Sequence, residues 1–305
     1  MKGGNTNGGS KEEFSEKDFS VNEKDIVLHE KDKRCAPHLN FEDLSCIPLD
    51  MLVSMANTYN DENDKKIKLS NTLRTLNPSK YKKYLLKEFS QKFKKICDSQ
   101  RCWLEQEFVE LMNNDDRIYL MEYTFRPKGP QGKFEWLNTF NINDCMKQYE
   151  MKYKDFKFLG AVPIDFDDLP VLGIKDINCK DCIKQNKSKL GIIFNLDKHN
   201  ESGSHWVSLF IDIEKGFIFF SDSYGIQPHE RIRKFMRRIA KQIQEGGRKL
   251  HSNFNKTRHQ KGDNACGMYS ICFIVRLLAG ENFYKINKDR ISDEEVNKYR
   301  DIYFV

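Results

Sequence analysis

A cysteine stands where a helix is predicted to begin. Cys266 follows the polar residues 260–264 and precedes Gly267 and the apolar run 268–278, a pattern that predicts a helix starting near the cysteine. The thiolate is the nucleophilic form of cysteine, and the unpaired N–H groups and dipole of a helix N-terminus favour it. Gly267 would leave the approach to the sulfur open. The position therefore predicts a reactive thiol.

Three further residues could complete the site of a cysteine hydrolase. That chemistry needs an imidazole that holds and delivers a proton, a group that orients the imidazole, and donors for the oxyanion. His205 opens one predicted strand, Asp222 ends the next, and Gln260 precedes the cysteine. We predict that Cys266 is the nucleophile and that His205 is the general base and acid. Asp222 would orient His205, and Gln260 would act with the Cys266 N–H as oxyanion donor.

Each of these residues also has a plainer interpretation. A cysteine at such a place is more often a buried packing residue, and His205 alone would be a surface or edge-strand histidine. Asp222 alone would be a turn or cap residue ahead of Ser223. The order of the whole set favours the catalytic interpretation.

The surrounding patterns predict an α+β domain. Runs of β-branched and aromatic residues predict strands at residues 156–162, 190–196, 206–213 and 217–221. Apolar periodicity predicts helices at residues 142–153, 228–244 and from 266 onward. The third and fourth strands are separated by three residues ending in Gly216, which predicts a hairpin. The start of one hairpin strand lies beside the end of its partner, so we expect His205 and Asp222 to be adjacent.

Composition and patterning divide the chain into three parts. Of its 305 residues, 39% are apolar and 12% aromatic, which is enough for a folded protein with a sizeable core. Residues 1–34 are polar and begin with a Gly/Asn-rich stretch, which predicts a disordered tail. Residues 35–130 carry helical patterns and end in a Pro/Gly cluster, so they predict a helical arm. Residues 131–305 are the predicted catalytic domain.

Several classes of protein are disfavoured by the composition. No apolar stretch approaches the roughly 18 residues of a membrane span, and we find no signal peptide. Nine irregularly spaced cysteines predict reduced thiols that mostly pack in the core. The net charge of +6 permits an acidic partner without requiring one. The predicted chemistry needs no cofactor and no metal.

The motif set resembles that of the ubiquitin-like-protein-processing cysteine proteases, which share a fold with adenovirus proteinase. The matching motifs occur in the family's order and at similar spacing, as His205-Trp206, Asp222, Gln260 and Cys266-Gly267. The resemblance implies an α+β, papain-like or adenain-like fold with a mixed central sheet flanked by helices. It also implies the catalytic roles given above, residue by residue.

A tryptophan motif extends the resemblance upstream. Trp136-Leu137-Asn138 is similar to the family's Trp-Leu-Asn motif, which implies that Trp136 and Trp206 enclose the glycines of the substrate. Two indoles flanking a cleft leave little room for side chains. We therefore predict cleavage after glycine.

Local departures from the cellular members point to a viral subfamily. Ala265 and Thr139 stand where cellular members usually carry Asp. Residues 127–130 and 146–150, with Asn264-Ala265 before the nucleophile, are more similar to the proteases of large cytoplasmic DNA viruses. This resemblance implies an endopeptidase that processes viral structural polyproteins at Gly-X-Gly-like sites during virion maturation. It implies a location in the virion and in the viral factory of the host cytoplasm.

Two alternatives accompany this hypothesis. The first is a deSUMOylating or deubiquitinating isopeptidase, with ubiquitin-like conjugates as the protein substrates. The second is a catalytically dead binding module or virion scaffold. Against the second, all four catalytic positions hold competent residue types, and loss of any one costs such a site orders of magnitude in rate.

Two weaker patterns remain. Cys179 and Cys182 form a CxxC pair without a second pair of ligands, which favours packing over a structural zinc site. The predicted helix at 228–244 has an apolar face and a basic remainder, which is typical of a solvated helix packed on the core. The adenovirus enzyme uses DNA as a cofactor, so the basic side also suggests a weak, salt-sensitive contact with nucleic acid through Arg231, Arg233, Lys234, Arg237, Arg238 and Lys241.

Overall fold

The computed structural model describes residues 19–130, 132 and 134–305, and the chain divides into two compact units. The N-terminal unit comprises Phe41–Thr124 together with the described residues 19–33. The C-terminal unit comprises Arg34–Asn40 and Phe125–Val305. Within the described residues, no helix has both the length and the apolar character needed to cross a bilayer.

The N-terminal unit is helical. It contains 3-10 helices at Glu23–Asp25 and Glu30–Lys33, then α1 (Leu49–Glu62), α2 (Asn71–Leu76), α3 (Pro78–Phe93), α4 (Gln100–Trp103), α5 (Glu107–Glu110) and α6 (Asn114–Tyr123). Helix α3 begins with Pro78 at its first turn, where the missing N–H costs nothing, and Asn77 caps it. Phe89 stacks on Phe93 and Phe108, with ring centroids 6.2 and 6.1 Å away. An aromatic cluster therefore forms the centre of this unit.

The predicted tail is folded where the structure describes it. Residues 1–18 lie outside the described residues. Phe19 is buried, with its ring edge-on to Tyr84 at 4.8 Å between centroids, and the two 3-10 helices follow it. The prediction of disorder is therefore wrong for residues 19–34. Phe19, Ile26 and Asp32 are all buried within this polar stretch, and these contacts offset the composition on which the prediction depended.

The prediction of reduced thiols holds for only part of the chain. Cys97 and Cys102 form a disulfide within the N-terminal unit, and neither Cys35 nor Cys46 is a free thiol. The remaining five cysteines are free and buried, as Cys145, Cys179, Cys182, Cys266 and Cys272. Irregular spacing does not show which cysteines the fold brings together.

The C-terminal unit is built on a five-stranded mixed sheet in the order β1-β2-β3-β4-β5. In chain order its elements are α7 (Thr139–Lys152), β1 (Phe156–Pro163), 3-10 helices at Phe166–Asp168 and Pro170–Leu172, α8 (Cys179–Lys184), β2 (Lys189–Asn195), β3 (Trp206–Asp212), β4 (Phe217–Ser221), α9 (Glu230–Glu245), β5 (His251–Phe254), α10 (Cys266–Leu278), α11 (Phe283–Lys288), α12 (Asp293–Lys298) and α13 (Arg300–Tyr303). The outer pairs β1/β2 and β4/β5 are parallel, and the inner pairs are antiparallel. The α+β prediction is confirmed.

The central strand β3 is buried on both faces. Trp206 and Phe210 face the core that contains α7 and α10, whereas Val207 and Leu209 face the core that contains α8 and α9. This two-residue alternation is the periodicity of a strand. The predicted hairpin is present between β3 and β4, and Gly216 has the positive φ of 68° that its turn requires.

Candidate active site

The nucleophile candidate is the first residue of α10. Helix α10 begins at Cys266, and the preceding Ala265 makes no side-chain cap. Cys266 is 2% exposed. Gly267 packs so closely on Leu137 that an added Cβ would lie 3.0 Å from the Leu137 Cβ. Glycine at this position therefore lets the residues around Trp136 approach the start of α10.

The hairpin brings the histidine and the aspartate together. His205 immediately precedes β3 and Asp222 immediately follows β4, and the register pairs Ser208 with Ser221. The His205 Nε2 lies 2.8 Å from the Asp222 Oδ1. Leu196 in the segment after β2 donates its N–H to the His205 carbonyl at 2.9 Å, so the histidine backbone is held on the other side as well.

The imidazole connects the aspartate to the cysteine. His205 hydrogen-bonds to Asp222, and Cys266 lies near enough to raise the pKa of the imidazole as well. Because Nε2 is engaged with Asp222, Nδ1 is the nitrogen available to the sulfur. Burial opposes the imidazolium, but the hydrogen bonds to Asp222 and Cys266 and the charges of both raise the pKa of His205 to about 9. The environment therefore favours a protonated histidine beside the sulfur.

Asp222 is fixed by a buried asparagine that sequence reasoning missed. Asn255 is fully buried directly after β5; its Oδ1 accepts from the Asp222 N–H at 2.9 Å, and its Nδ2 donates to the Asp222 carbonyl at 2.7 Å. The Asp222 carboxylate also accepts the Tyr224 N–H at 2.8 Å. Strand β5 is only four residues long and partly exposed, so neither it nor Asn255 gave a pattern in the sequence.

Tyr224 covers the imidazole. Its ring stacks on His205 with centroids 4.7 Å apart and an interplanar angle of 16°. The Arg258 guanidinium lies 5.0 Å from the centre of the same tyrosine ring. The Tyr224 hydroxyl donates to the Gly262 carbonyl at 2.9 Å. In the sequence, this tyrosine belonged to a segment interpreted only as a turn.

The glutamine candidate is buried beside the aspartate segment. Gln260 is fully buried, its Nε2 lies 2.9 Å from the Gly262 carbonyl, and its Oε1 lies 2.6 Å from the Ser223 Oγ. Ser223 is the residue after Asp222. Gln260 is therefore tied to the segment that orients His205.

The two predicted specificity tryptophans differ in exposure. Trp136 is 43% exposed and has surface to offer a ligand, whereas Trp206 is 5% exposed and belongs to the core. The Trp206 Nε1 donates to the Leu137 carbonyl at 2.9 Å. The residue after Trp136 is thus held by the indole of Trp206, so the two tryptophans are joined through one hydrogen bond.

The weaker sequence patterns are resolved as follows. Cys179 and Cys182 are buried on α8, and burial raises the pKa of the Cys179 thiol to about 11. Over residues 19–130, 132 and 134–305, no group of three or more His, Cys, Asp or Glu side chains is placed to hold a metal.

On α9, five of the six basic residues form ion pairs, as Arg231–Asp168, Arg233–Glu230, Arg237–Glu230, Arg238–Asp167 and Lys241–Glu245.

Comparisons with known proteins identify the family. Residues 136–305 match the model of the Ulp1 protease family, C-terminal catalytic domain. A protein of Acanthamoeba polyphaga mimivirus that bears the name of a thiol protease is 36% identical over 287 residues, covering 88% of this chain and 92% of that protein. A SUMO-1 cysteine protease of African swine fever virus is 25% identical over 238 residues, covering 70% of this chain and 86% of that protein.

A solved structure shows the same fold. The crystal structure of an African swine fever virus protease superposes with a TM-score of 0.61 at 22% identity, covering 94% of this chain and 99% of that one. The chain therefore belongs to the Ulp1 protease family and is a cysteine peptidase.

Proposed function

We propose that Cys266, His205, Asp222 and Gln260 form the catalytic site of an endopeptidase that cleaves after glycine. The observation that carries the proposal is the series in which Asp222 hydrogen-bonds to His205 and Cys266 raises the pKa of that imidazole. This series lies in the C-terminal unit, which we propose as the catalytic domain, with the N-terminal helical unit as its arm.

The geometry supports acyl transfer. The Cys266 thiolate attacks the scissile carbonyl, and the imidazolium of His205 then protonates the leaving amine. Asp222 keeps the imidazole oriented and stabilises its charge. A water molecule activated by the neutral imidazole hydrolyses the thioester.

Two groups would stabilise the oxyanion. The first N–H groups of a helix have no acceptor within that helix, and Ala265 has no polar side chain to cap them, so the Cys266 N–H is the first proposed donor. The Gln260 amide is the second donor. Removing one donor of this kind costs about 10²–10³ in kcat.

The labelling rate of the thiols tests the site without a substrate. Iodoacetamide should modify Cys266 faster than any other cysteine, and His205→Ala should slow that reaction. Cys272 is the matched control, since it is a buried free cysteine on the same helix whose burial raises the pKa of its thiol to about 11. Equal labelling of Cys266 and Cys272 would favour the inactive binding module.

Specificity for glycine is proposed from the tryptophans. Trp136 is exposed beside Leu137, which is held by the Trp206 indole and packed against Gly267. A flat glycine segment of the substrate fits beside Trp136 and the Leu137 backbone, and a branched side chain at the same substrate position would clash. A peptide library should be cut after glycine, and Trp136→Ala should raise KM. Free acceptance of Leu or Phe at that position would refute the proposed clamp.

The viral role is proposed from the relatives. Two similar proteins come from mimivirus and African swine fever virus, which supports a viral protease. The proposed role is the processing of viral structural polyproteins at Gly-X-Gly-like sites, in the virion and the host cytoplasm. The name of the second relative favours an alternative, a peptidase that acts on SUMO-like conjugates. Reporters fused to ubiquitin-like modifiers should be cut much more slowly than unfolded Gly-X-Gly linkers. Faster cleavage of the modifier reporters would reverse the assignment.

Nucleic acid is the weaker of the proposed partners. The ion pairs along α9 neutralise most of its basic side, so phosphate binding would have to compete with carboxylates already in place. We expect binding to duplex DNA that is weak and falls steeply with salt concentration. Tight binding that is insensitive to salt would contradict this expectation.

A further inference from the structure

Ser223 contacts the proposed oxyanion donor from two directions. Its carbonyl accepts the N–H groups of His259 and Gln260 at 2.8 and 2.9 Å, and its hydroxyl lies 2.6 Å from the Gln260 Oε1. Both Ser223 and Gln260 are buried, with exposed fractions of 4% and 0%. The serine therefore holds both the backbone and the side chain of the glutamine.

The contacts determine which way the amide points. The Gly262 carbonyl can only accept a hydrogen bond, so the side-chain atom of Gln260 that lies 2.9 Å from it must be the nitrogen. The other atom is then the oxygen, and the Ser223 hydroxyl must donate to it. An amide nitrogen has two hydrogens, of which the Gly262 carbonyl uses one. The second hydrogen remains for an oxyanion.

We propose that Ser223 is a positioning residue that fixes the Gln260 amide with its nitrogen toward the oxyanion. This inference rests on the proposed function of Gln260. Without the serine hydroxyl, the buried Oε1 loses its donor, and the hydrogen bond to the Gly262 carbonyl is left to hold the amide against rotation, which would present its oxygen to the developing negative charge. Because Asp222 precedes Ser223, a single short segment orients both the general base and the oxyanion donor.

The conservative variant Ser223→Ala tests the proposal. It removes the hydroxyl but keeps the carbonyl that binds the backbone of residues 259 and 260. The matched control is Ser208→Ala, which deletes a hydroxyl that is equally buried but has no hydrogen-bond partner within the described part of the chain. Ser208→Ala should cleave at the wild-type rate.

A double-mutant cycle separates positioning from general damage. We expect Ser223→Ala to lower kcat about 10- to 100-fold with little change in KM, and Gln260→Ala to lower it about 10²–10³-fold. In the Gln260→Ala background, Ser223→Ala should have less than about a twofold effect, because its only target is gone. Multiplicative losses in the double variant would overturn the proposal.

A second measurement does not depend on cleavage. The side-chain amide resonances of Gln260, identified in ¹⁵N spectra by their loss in Gln260→Ala, should shift or broaden in Ser223→Ala and stay unchanged in Ser208→Ala. Unchanged resonances in Ser223→Ala would overturn the inference. If those resonances respond but the wild-type protein cleaves no glycine peptide, it is the proposed function of the site that fails.

Discussion

The charge of Asp222 should set the pH at which His205 loses its proton. Asp222→Asn is the informative change, because the amide oxygen can still accept from the His205 Nε2 and the Tyr224 N–H that the carboxylate now accepts at 2.8 Å each. The hydrogen-bond pattern is preserved and only the negative charge is lost. The effect on His205 therefore measures the charge alone.

The expected size of the change follows from the hydrogen bond. The rise of the His205 pKa from 6.5 to about 9 corresponds to about 3 kcal/mol of preference for the imidazolium. A hydrogen bond to a charged group contributes about 1.5–3 kcal/mol, against about 0.5–1.5 for a neutral pair. Asp222→Asn should thus remove about 1–1.5 kcal/mol and lower the pKa by about one pH unit. Asp222→Ala also removes the hydrogen bond, so it should lower the pKa further.

The titration can be measured directly. In protein with ¹³C-labelled histidine, the His205 resonance is the one lost in His205→Ala, and it is followed from about pH 5 to about pH 11. The alkaline limb of kcat/KM should move by the same amount as the resonance, because the free enzyme's essential acid sets that limb. Asp165→Asn is a matched control, since Asp165 accepts from the ring of His199 at 2.6 Å and should not affect His205.

Two results would refute the reasoning. A wild-type His205 that titrates near the ordinary histidine value would mean that burial outweighs its two partners. A pKa that stays near 9 in Asp222→Asn would mean that the carboxylate charge does not stabilise the imidazolium. Either result removes the ion pair from the mechanism.

Three further predictions follow from contacts around the site. Gly267→Ala should destabilise the protein by about 1–3 kcal/mol in urea unfolding, because the new Cβ would press on Leu137 at 3.0 Å; an unchanged or higher midpoint would show that the contact relaxes freely. Tyr224→Phe should destabilise the protein by about 1 kcal/mol in urea unfolding through loss of the hydrogen bond to Gly262, while the His205 titration stays unchanged; a large shift in that titration would contradict the assignment. His205→Ala should remove a stabilisation that is fully present below about pH 6.5 and lost as the pH rises through about 9, so the free-energy difference between the two proteins should shrink over that range; a difference that is constant with pH would contradict the raised pKa.

The sequence predicted the parts of the site that depend on local patterns. The turn ending in Gly216 predicted the hairpin. In an antiparallel hairpin the start of β3 lies beside the end of β4, so His205 and Asp222 are neighbours. The apolar run after Cys266 fixed the start of α10. Each of these inferences depends on residues within one element or one turn, which is the range over which sequence periodicity carries information.

The missed parts depend on contacts between distant segments. Asn255 supports Asp222 from across the β4/β5 pair, and Ser223 reaches Gln260 across 37 residues. A polar residue that will be buried against a particular backbone group looks like any loop residue until the fold is known. The same reason applies to Phe19, whose burial depends on Tyr84 of α3.

The relative position of nucleophile and base depends on the core. Cys266 begins α10, whereas His205 precedes β3, and α10 packs on the sheet face that carries Trp206 and Phe210. The distance between these two side chains therefore depends on how the apolar side of α10 packs on β3. Interiors are close-packed and transmit small volume changes to their neighbours. The geometry of the proposed site is therefore a property of the packing between α10 and β3 as much as of its polar residues.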